Sequence, residues 1–210
     1  MGFDPEKDKL QKEETRRKIL EGGFRIFSQR PADSITMTAA AQEMGIGVAT
    51  LYRYYRTKPE LLLAISAWAW ERHISGWIAA SDPENTGAER FKTFLDSFID
   101  LYENKKDLLR FNQYFNIYMQ GRIPSGSTEL SNYTFVMDQL SSRLQDIYVC
   151  GIRDGTLRSD LSYEMISAYT LDLMVAAITR YAVGTVYRTD KNPEAALRVA
   201  RELIYKEIAA

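Results

Sequence analysis

Residues 45–62 read GIGVATLYRYYRTKPELL, and the order of residue types in them predicts three short pieces of structure. Gly45 suits the left-handed residue that closes a preceding helix. From about Gly47 to Tyr55 the spacing predicts a short helix. In it Leu51 and Tyr55 fall on one side, with Ile46 in the turn before them, and Val48, Ala49, Tyr52 and Arg53 share the opposite side. In residues 57–60, TKPE, the Thr57 hydroxyl can cap the next helix, Glu60 can reach back in the capping-box manner, and Pro59 lies in the first turn, where a missing N–H costs nothing. A long fourth helix follows through LLLAISAWAWERHISGWIAA, residues 61–80.

Upstream, Glu13 to about Gln29 carries Leu20, Phe24 and Phe27 on one stripe, with Gly23 among them to admit a close neighbour. RPADS, residues 30–34, ends that helix, and Thr36 can cap a second one, Met37 to Met44, with small alanines at 39, 40 and 41. Two short helices joined at a glycine, with a longer helix before them, form a helix-turn-helix unit. Its outward face has the chemistry of a DNA reader. Small side chains at 48 and 49 let the helix start lie deep in a major groove, where Val48 can touch a thymine methyl and Tyr52 and Arg53 can reach phosphates or base edges. Thr36, Thr38, Gly47 and Thr50 offer hydroxyls or helix-start N–H groups to flanking phosphates, and Lys58 adds a point charge at the next helix start. Tyr54 belongs to the same candidate set, although packing alone also accounts for a tyrosine there.

Charge is distributed in keeping with that reading. Lys9 to Lys58 holds ten Lys and Arg against five Asp and Glu, whereas the whole chain has 27 against 28, so the rest of the chain is left with 17 against 23. A basic amino-terminal quarter on a mildly acidic body suits a polyanion-binding module attached to something else. No window has the unbroken apolar length of a membrane span, and the charged first residues do not read as a secretory signal, so a cytoplasmic location is expected. One cysteine, Cys150, and one histidine, His73, leave too few parts for the usual zinc sites or His-based triads, and no metal or cofactor is expected.

The segments RRKILEGGFRIFSQ (16–29) and SITMTAAAQEMGIGVATLYRYYRTKPELL (34–62), and more weakly CGIRDGTLRSDLS (150–162), resemble the TetR family of transcriptional regulators. The chain departs from the family pattern at Gly22 and Gly23, where alanines are usual, at Pro31 and Ala32, at Gly47 in place of a capping serine, and at Val48 and Ala49. The resemblance implies a homodimer with one such head per subunit on a palindromic operator in double-stranded DNA. It also implies a protein that is not an enzyme and represses transcription until a small molecule binds its body.

The expected architecture is all-α: a three-helix DNA-binding domain over 1–60, with 1–11 as a flexible tail, and a helical bundle for ligand binding and dimerisation over 61–210. The body is rich in large rings, with tryptophans at 68, 70 and 77 and aromatic stripes over 91–102 and 111–119. Most of these serve a core. A cavity among them would suit a hydrophobic or aromatic compound, with Trp68, Phe98, Tyr102, Phe111 and Tyr114 as candidate lining, joined by Phe115, Tyr118 and Tyr169. Asn112, Gln113 and Asn116 are candidates for its polar edge. The last helices, about Ser162 to Tyr187 and Pro193 to Ile208, contain a long apolar run with small residues at 168, 176, 177, 182 and 184, and the resemblance assigns this pair to the dimer interface. Two other readings stand beside this one: a DNA-binding regulator answering to a protein partner with no ligand pocket, and a helical enzyme using Asp154 and Asp160 on a hydrophobic substrate.

Overall fold

The computed structural model describes residues 5–79, with side chains through Ile74, then 84–184 and 192–210. Ten α-helices are described: α1 (Pro5–Phe27), α2 (Met37–Glu43), α3 (Val48–Tyr54), α4 (Lys58–Ala79), α5 (Gly87–Asn104), α6 (Lys106–Met119), α7 (Thr128–Asp154), α8 (Tyr163–Ser167), α9 (Leu173–Val183) and α10 (Pro193–Ile208). A π-helical turn, Ala168–Asp172, joins α8 to α9. Among the described residues no strand forms; Leu157 and Ala209 make a lone antiparallel bridge. Also among them, no helix is long and apolar enough to cross a membrane. The side chain of Trp77, and Thr185–Tyr187 at the end of the expected penultimate helix, lie outside the described residues.

The chain packs as two units: residues up to Trp70 with Phe111–Phe135, and Glu71–Arg110 with Val136–Ala210. The first unit therefore reaches past the expected boundary at residue 60. The physical reason is in its core, where Ile19, Phe27, Leu51, Tyr55 and the run Leu61–Ile65 are buried together with Phe111, Phe115 and Met119. Phe24 connects the two stretches, lying 5.6 Å from the Phe111 ring and 6.0 Å from the Trp68 ring. α1 passes close to α4 because Gly23 has no side chain: a Cβ there would sit 2.5 Å from Ile65 Cδ1.

The amino-terminal tail is corrected as well, since α1 begins at Pro5 and not near Glu13. Proline at a helix start costs no hydrogen bond, Glu6 and Asp8 lie in the first turn where the helix dipole favours acids, and Asp8 pairs with Lys12 one turn on at 2.7 Å.

In the second unit Phe91, Phe94, Leu95, Phe98, Leu101 and Tyr102 of α5 are buried, and α5 runs against α9 and α10. α5 starts where α7 ends. The backbones of Gly87 and Gly151 approach so closely that a Cβ on Gly87 would overlap Gly151, and Asp154 Oδ2 accepts from Gly87 N–H at 2.7 Å. Arg201 of α10 is buried against α5 and donates to both carboxylate oxygens of Asp96 at 2.8 Å.

Candidate nucleic-acid interface

Each edge of the helix-turn-helix is set by a local interaction. Thr36 caps α2 by accepting from Ala39 N–H at 3.1 Å. Gly45, at φ +66°, closes it in the left-handed region that glycine enters without strain. Gly47 stands at the cap of α3, and Ala41 C=O accepts from Ile46 N–H at 3.0 Å across the turn. At the start of α4, Glu60 accepts from the N–H groups of Arg56 (2.8 Å) and Thr57 (3.1 Å), and Thr57 Oγ1 accepts from Glu60 N–H at 3.3 Å.

These edges orient α3. Leu51 is fully buried and Tyr55 nearly so, with Ile46 packed on the same core. Ala49, Tyr52 and Arg53 face solvent together, Tyr52 with 45% of its surface exposed, and Val48 and Thr50 are half-buried at the helix start. Thr36, Thr38 and Gly47 are exposed. Burial raises the Tyr55 hydroxyl above the ordinary tyrosine pKa, against the opposing influence of Arg16 beside it, so it stays protonated.

Two candidates are placed differently. The Tyr54 hydroxyl donates to the backbone carbonyl of Lys12 at 3.1 Å, tying α3 to α1. Lys58 Nζ donates to Ala32 C=O at 2.9 Å and lies 4.9 Å from the centre of the Tyr118 ring, and burial lowers its pKa below the usual lysine value. The Lys58 charge is thus engaged with the protein. The Tyr118 ring is also met by Arg122, whose guanidinium lies 4.6 Å from its centre and pairs with Asp33 at 3.7 Å.

The aromatic candidates divide between the units. Phe111 and Phe115 are buried in the first and stack at 6.0 Å, Phe115 lies 5.4 Å from Tyr133, and Trp68 and Tyr114 are half-buried there, as is Gln113, while Asn112 is buried and Asn116 exposed. Phe98 and Tyr102 are buried in the second, with Tyr102 meeting Tyr181 edge to face at 6.5 Å and Tyr169 half-buried on the π-helical turn. Asp154 and Asp160 have structural partners: Asp154 accepts from Thr156 and Gly87, which lowers its pKa, and Asp160 accepts two hydrogen bonds from Arg158, which lowers its own.

Sequence reasoning did not find the Lys18 ammonium, which donates to Gly45 C=O at 3.2 Å and holds the turn against α1, nor the Arg30–Glu43 pair beside it. Both link residues well apart along the chain, by 27 and 13 positions, and nothing in the local pattern marks them.

An α3 capped at a glycine turn, anchored by Leu51 and Tyr55 and bare at Ala49, Tyr52 and Arg53, defines a helix-turn-helix head of the kind that enters a DNA groove. Residues 19–65 match the family model described as bacterial regulatory proteins, tetR family. An HTH-type transcriptional regulator of Staphylococcus aureus (strain bovine RF122 / ET3-1) is 28% identical over 96 residues, covering 46% of this chain and 52% of that protein. The chain thus spans about half the length of the curated relatives it matches. Among solved structures, a putative transcriptional regulator from Saccharomonospora viridis in complex with choline aligns with a TM-score of 0.73 at 17% identity, covering 94% of this chain and 99% of that one. FadR from Bacillus subtilis in complex with stearoyl-CoA aligns with a TM-score of 0.70 at 14% identity, covering 90% and 97%. These two establish likeness of fold. The family match lies in the head, residues 19–65, which is similar to the DNA-binding segment of tetR-family regulators.

Proposed function

We propose that the chain is a transcriptional repressor that binds a palindromic operator as a homodimer and is released by a hydrophobic or aromatic small molecule. The observation that carries it is the exposed face of α3, with Ala49, Tyr52 and Arg53 held outward by the buried Leu51 and Tyr55. Thr36, Thr38, Gly47 and Thr50 supply the flanking phosphate contacts. The protein acts in the cytoplasm, where the DNA is.

Dimerisation draws support from apolar side chains left uncovered on α8, α9 and α10: Met165, Leu173, Val183, Val199 and Leu203. Two-fold pairing through them would match the symmetry of a palindrome. The ligand reading draws support from the second unit. There the hydroxyls of Thr170, on the π-helical turn, and Thr179, on α9, are buried with no hydrogen-bond partner among the described residues, on a helix that packs against the aromatic face of α5. A buried hydroxyl left unpaired costs about 1–3 kcal/mol, which a ligand's polar group would relieve. Phe98, Tyr102 and Tyr169 would receive the ligand's apolar part. The neighbours that hold choline and stearoyl-CoA are consistent with a small-molecule effector without selecting its class. Since α4 is one uninterrupted helix with residues in both units, a ligand that changes packing in the second acts on a helix that begins at the head. By linkage, operator DNA then weakens the ligand as much as the ligand weakens DNA.

The reading of Asp154 and Asp160 as a catalytic pair has no support, because each carboxylate is bound to a structural partner. Control by a protein partner is distinguished by whether an added small molecule changes operator affinity. The primary test is selection of bound fragments from random DNA by the purified chain. A recovered palindrome is expected, with Arg53→Ala weakening its binding about ten-fold or more. Recovery of no enriched sequence, or an Arg53→Ala variant that binds as well as the parent, overturns the reading.

A further inference from the structure

α1 presents one face that changes chemistry along its length. Ile19, Leu20, Gly23, Ile26 and Phe27 bury it at the carboxyl end. Stepping back from Gly23 and Ile19 by threes and fours, the same face carries Arg16, Lys12 and Lys9, all exposed. Asp8 shares it, Glu6 and Glu13 lie at its edge, and Glu14 and Glu21 lie on the opposite side.

Two ties show where this basic stretch lies relative to the recognition helix within the first unit. Tyr54, at the carboxyl end of α3, bonds Lys12 C=O at 3.1 Å, and Lys18 bonds Gly45, in the turn before α3, at 3.2 Å. Rising residue number in α1 meets falling residue number toward the start of α3, so the two run in opposite directions. Residues 5–11 of α1 therefore continue beyond the carboxyl end of α3, by roughly 10 Å at about 1.5 Å per residue. The inward face of that overhang bears Lys9, with Lys12 at its root. Lys12 is held by Asp8 at 2.7 Å, with both side chains substantially exposed, a pairing weak enough for a phosphate to displace.

We propose that the overhang of α1 is a second phosphate-binding element, in which Lys9 and Lys12 engage the DNA backbone beside the base pairs that α3 contacts, with Asp8 competing for Lys12. The inference rests on the reading of α3 as the DNA-contacting helix. An ordinary solvated helix face would also carry lysines, but it would leave DNA affinity indifferent to them.

The test uses the full chain on the DNA fragment it selects, with affinity measured across a salt series. Lys9→Gln/Lys12→Gln should lower the slope of log affinity against log salt by roughly 0.9 per lost contact, about 1.8 per head, and should weaken selected and unrelated DNA by the same factor. Asp8→Asn should act oppositely, tightening binding several-fold, which a purely structural role for the helix start would not produce. Circular dichroism of each variant checks that α1 remains helical. An unchanged slope in the double lysine variant, or weaker binding by Asp8→Asn, overturns the proposal while leaving the α3 reading intact. If the parent chain binds no DNA, both fall.

Discussion

The edges of the helix-turn-helix and the packing of the second unit are set over different distances along the chain. In the first, the elements that matter are set by neighbours: Thr36 with Ala39, Thr57 with Glu60, and Gly45 at its own positive φ. In the second, the decisive contacts join residues far apart: Gly87 to Asp154, Ala88 to the Thr156 hydroxyl, Arg198 to Glu103 and Arg201 to Asp96. A helix-turn-helix can be written in local chemistry because its caps and turn are fixed by residues within four positions of one another. A body that would enclose a ligand must instead bring separate helices to a common place, and its specificity then lies in pairings no short motif records.

The contrast is broken most severely at the glycines. A Cβ at Gly87 meets the backbone of Gly151, which cannot move without displacing α7, whereas a Cβ at Gly23 meets only the tip of the Ile65 side chain. Gly87→Ala is therefore expected to destabilise the chain by on the order of 3 kcal/mol. Gly23→Ala should stay within about 1 kcal/mol of the parent, since repacking of Ile65 is offset by the better helix propensity of alanine. Urea unfolding of the two variants decides it, and equal losses would show that the second unit tolerates crowding as well as the first.

Caps give a smaller version of the same comparison. Thr36 supplies the side-chain cap of α2, and Thr36→Ala should cost about 1 kcal/mol. Thr86 caps α5 through a full capping box with Glu89, yet the next two N–H groups are also taken by Asp154 and Thr156. With that reinforcement from α7, Thr86→Ala should cost less than Thr36→Ala in the same unfolding measurement. The reverse order would mean that the long-range bonds contribute little to holding the start of α5.

How far the sequence could be read follows from the same difference. The span 36–60 was legible residue by residue because hydroxyl caps, a glycine closure and a capping box each act within four residues. The ties of Tyr54 and Lys58 to the fold were not legible, because their partners, Lys12 and Ala32, lie 42 and 26 residues away. The boundary at residue 60 failed to describe the packing for a related reason: Phe111 and Phe115 look like any body aromatics, and only the fold brings them to Phe24 and the head's core. Gly87 and Gly151 carry no signal at all in one sequence, since a glycine needed for close approach looks the same as one in a loop. The first turns of α1 lack an apolar stripe, so periodicity does not mark them, and they are held instead by an ion pair and dipole-matched acids.

The smallest expected effect concerns His73, on the part of α4 that belongs to the second unit, between the buried Trp70 and Ile74. Desolvation lowers its pKa below the ordinary histidine value, the Lys105 and Arg72 charges lower it further, and Asp100 opposes them. A histidine with a depressed folded-state pKa binds its proton more readily when the chain unfolds. Its contribution to stability is therefore complete above the unfolded value near pH 6.5 and is lost as the pH falls toward the folded one. The ring is only partly withdrawn from water, so solvent screening keeps the effect small. Between pH 7.5 and 5.5, where most carboxylates remain ionised, the parent chain should lose slightly more unfolding free energy than His73→Gln does. Parallel pH dependence in the two proteins would mean that His73 is as well solvated in the fold as in the unfolded chain, and that the second unit is more open around α4 than its buried neighbours indicate.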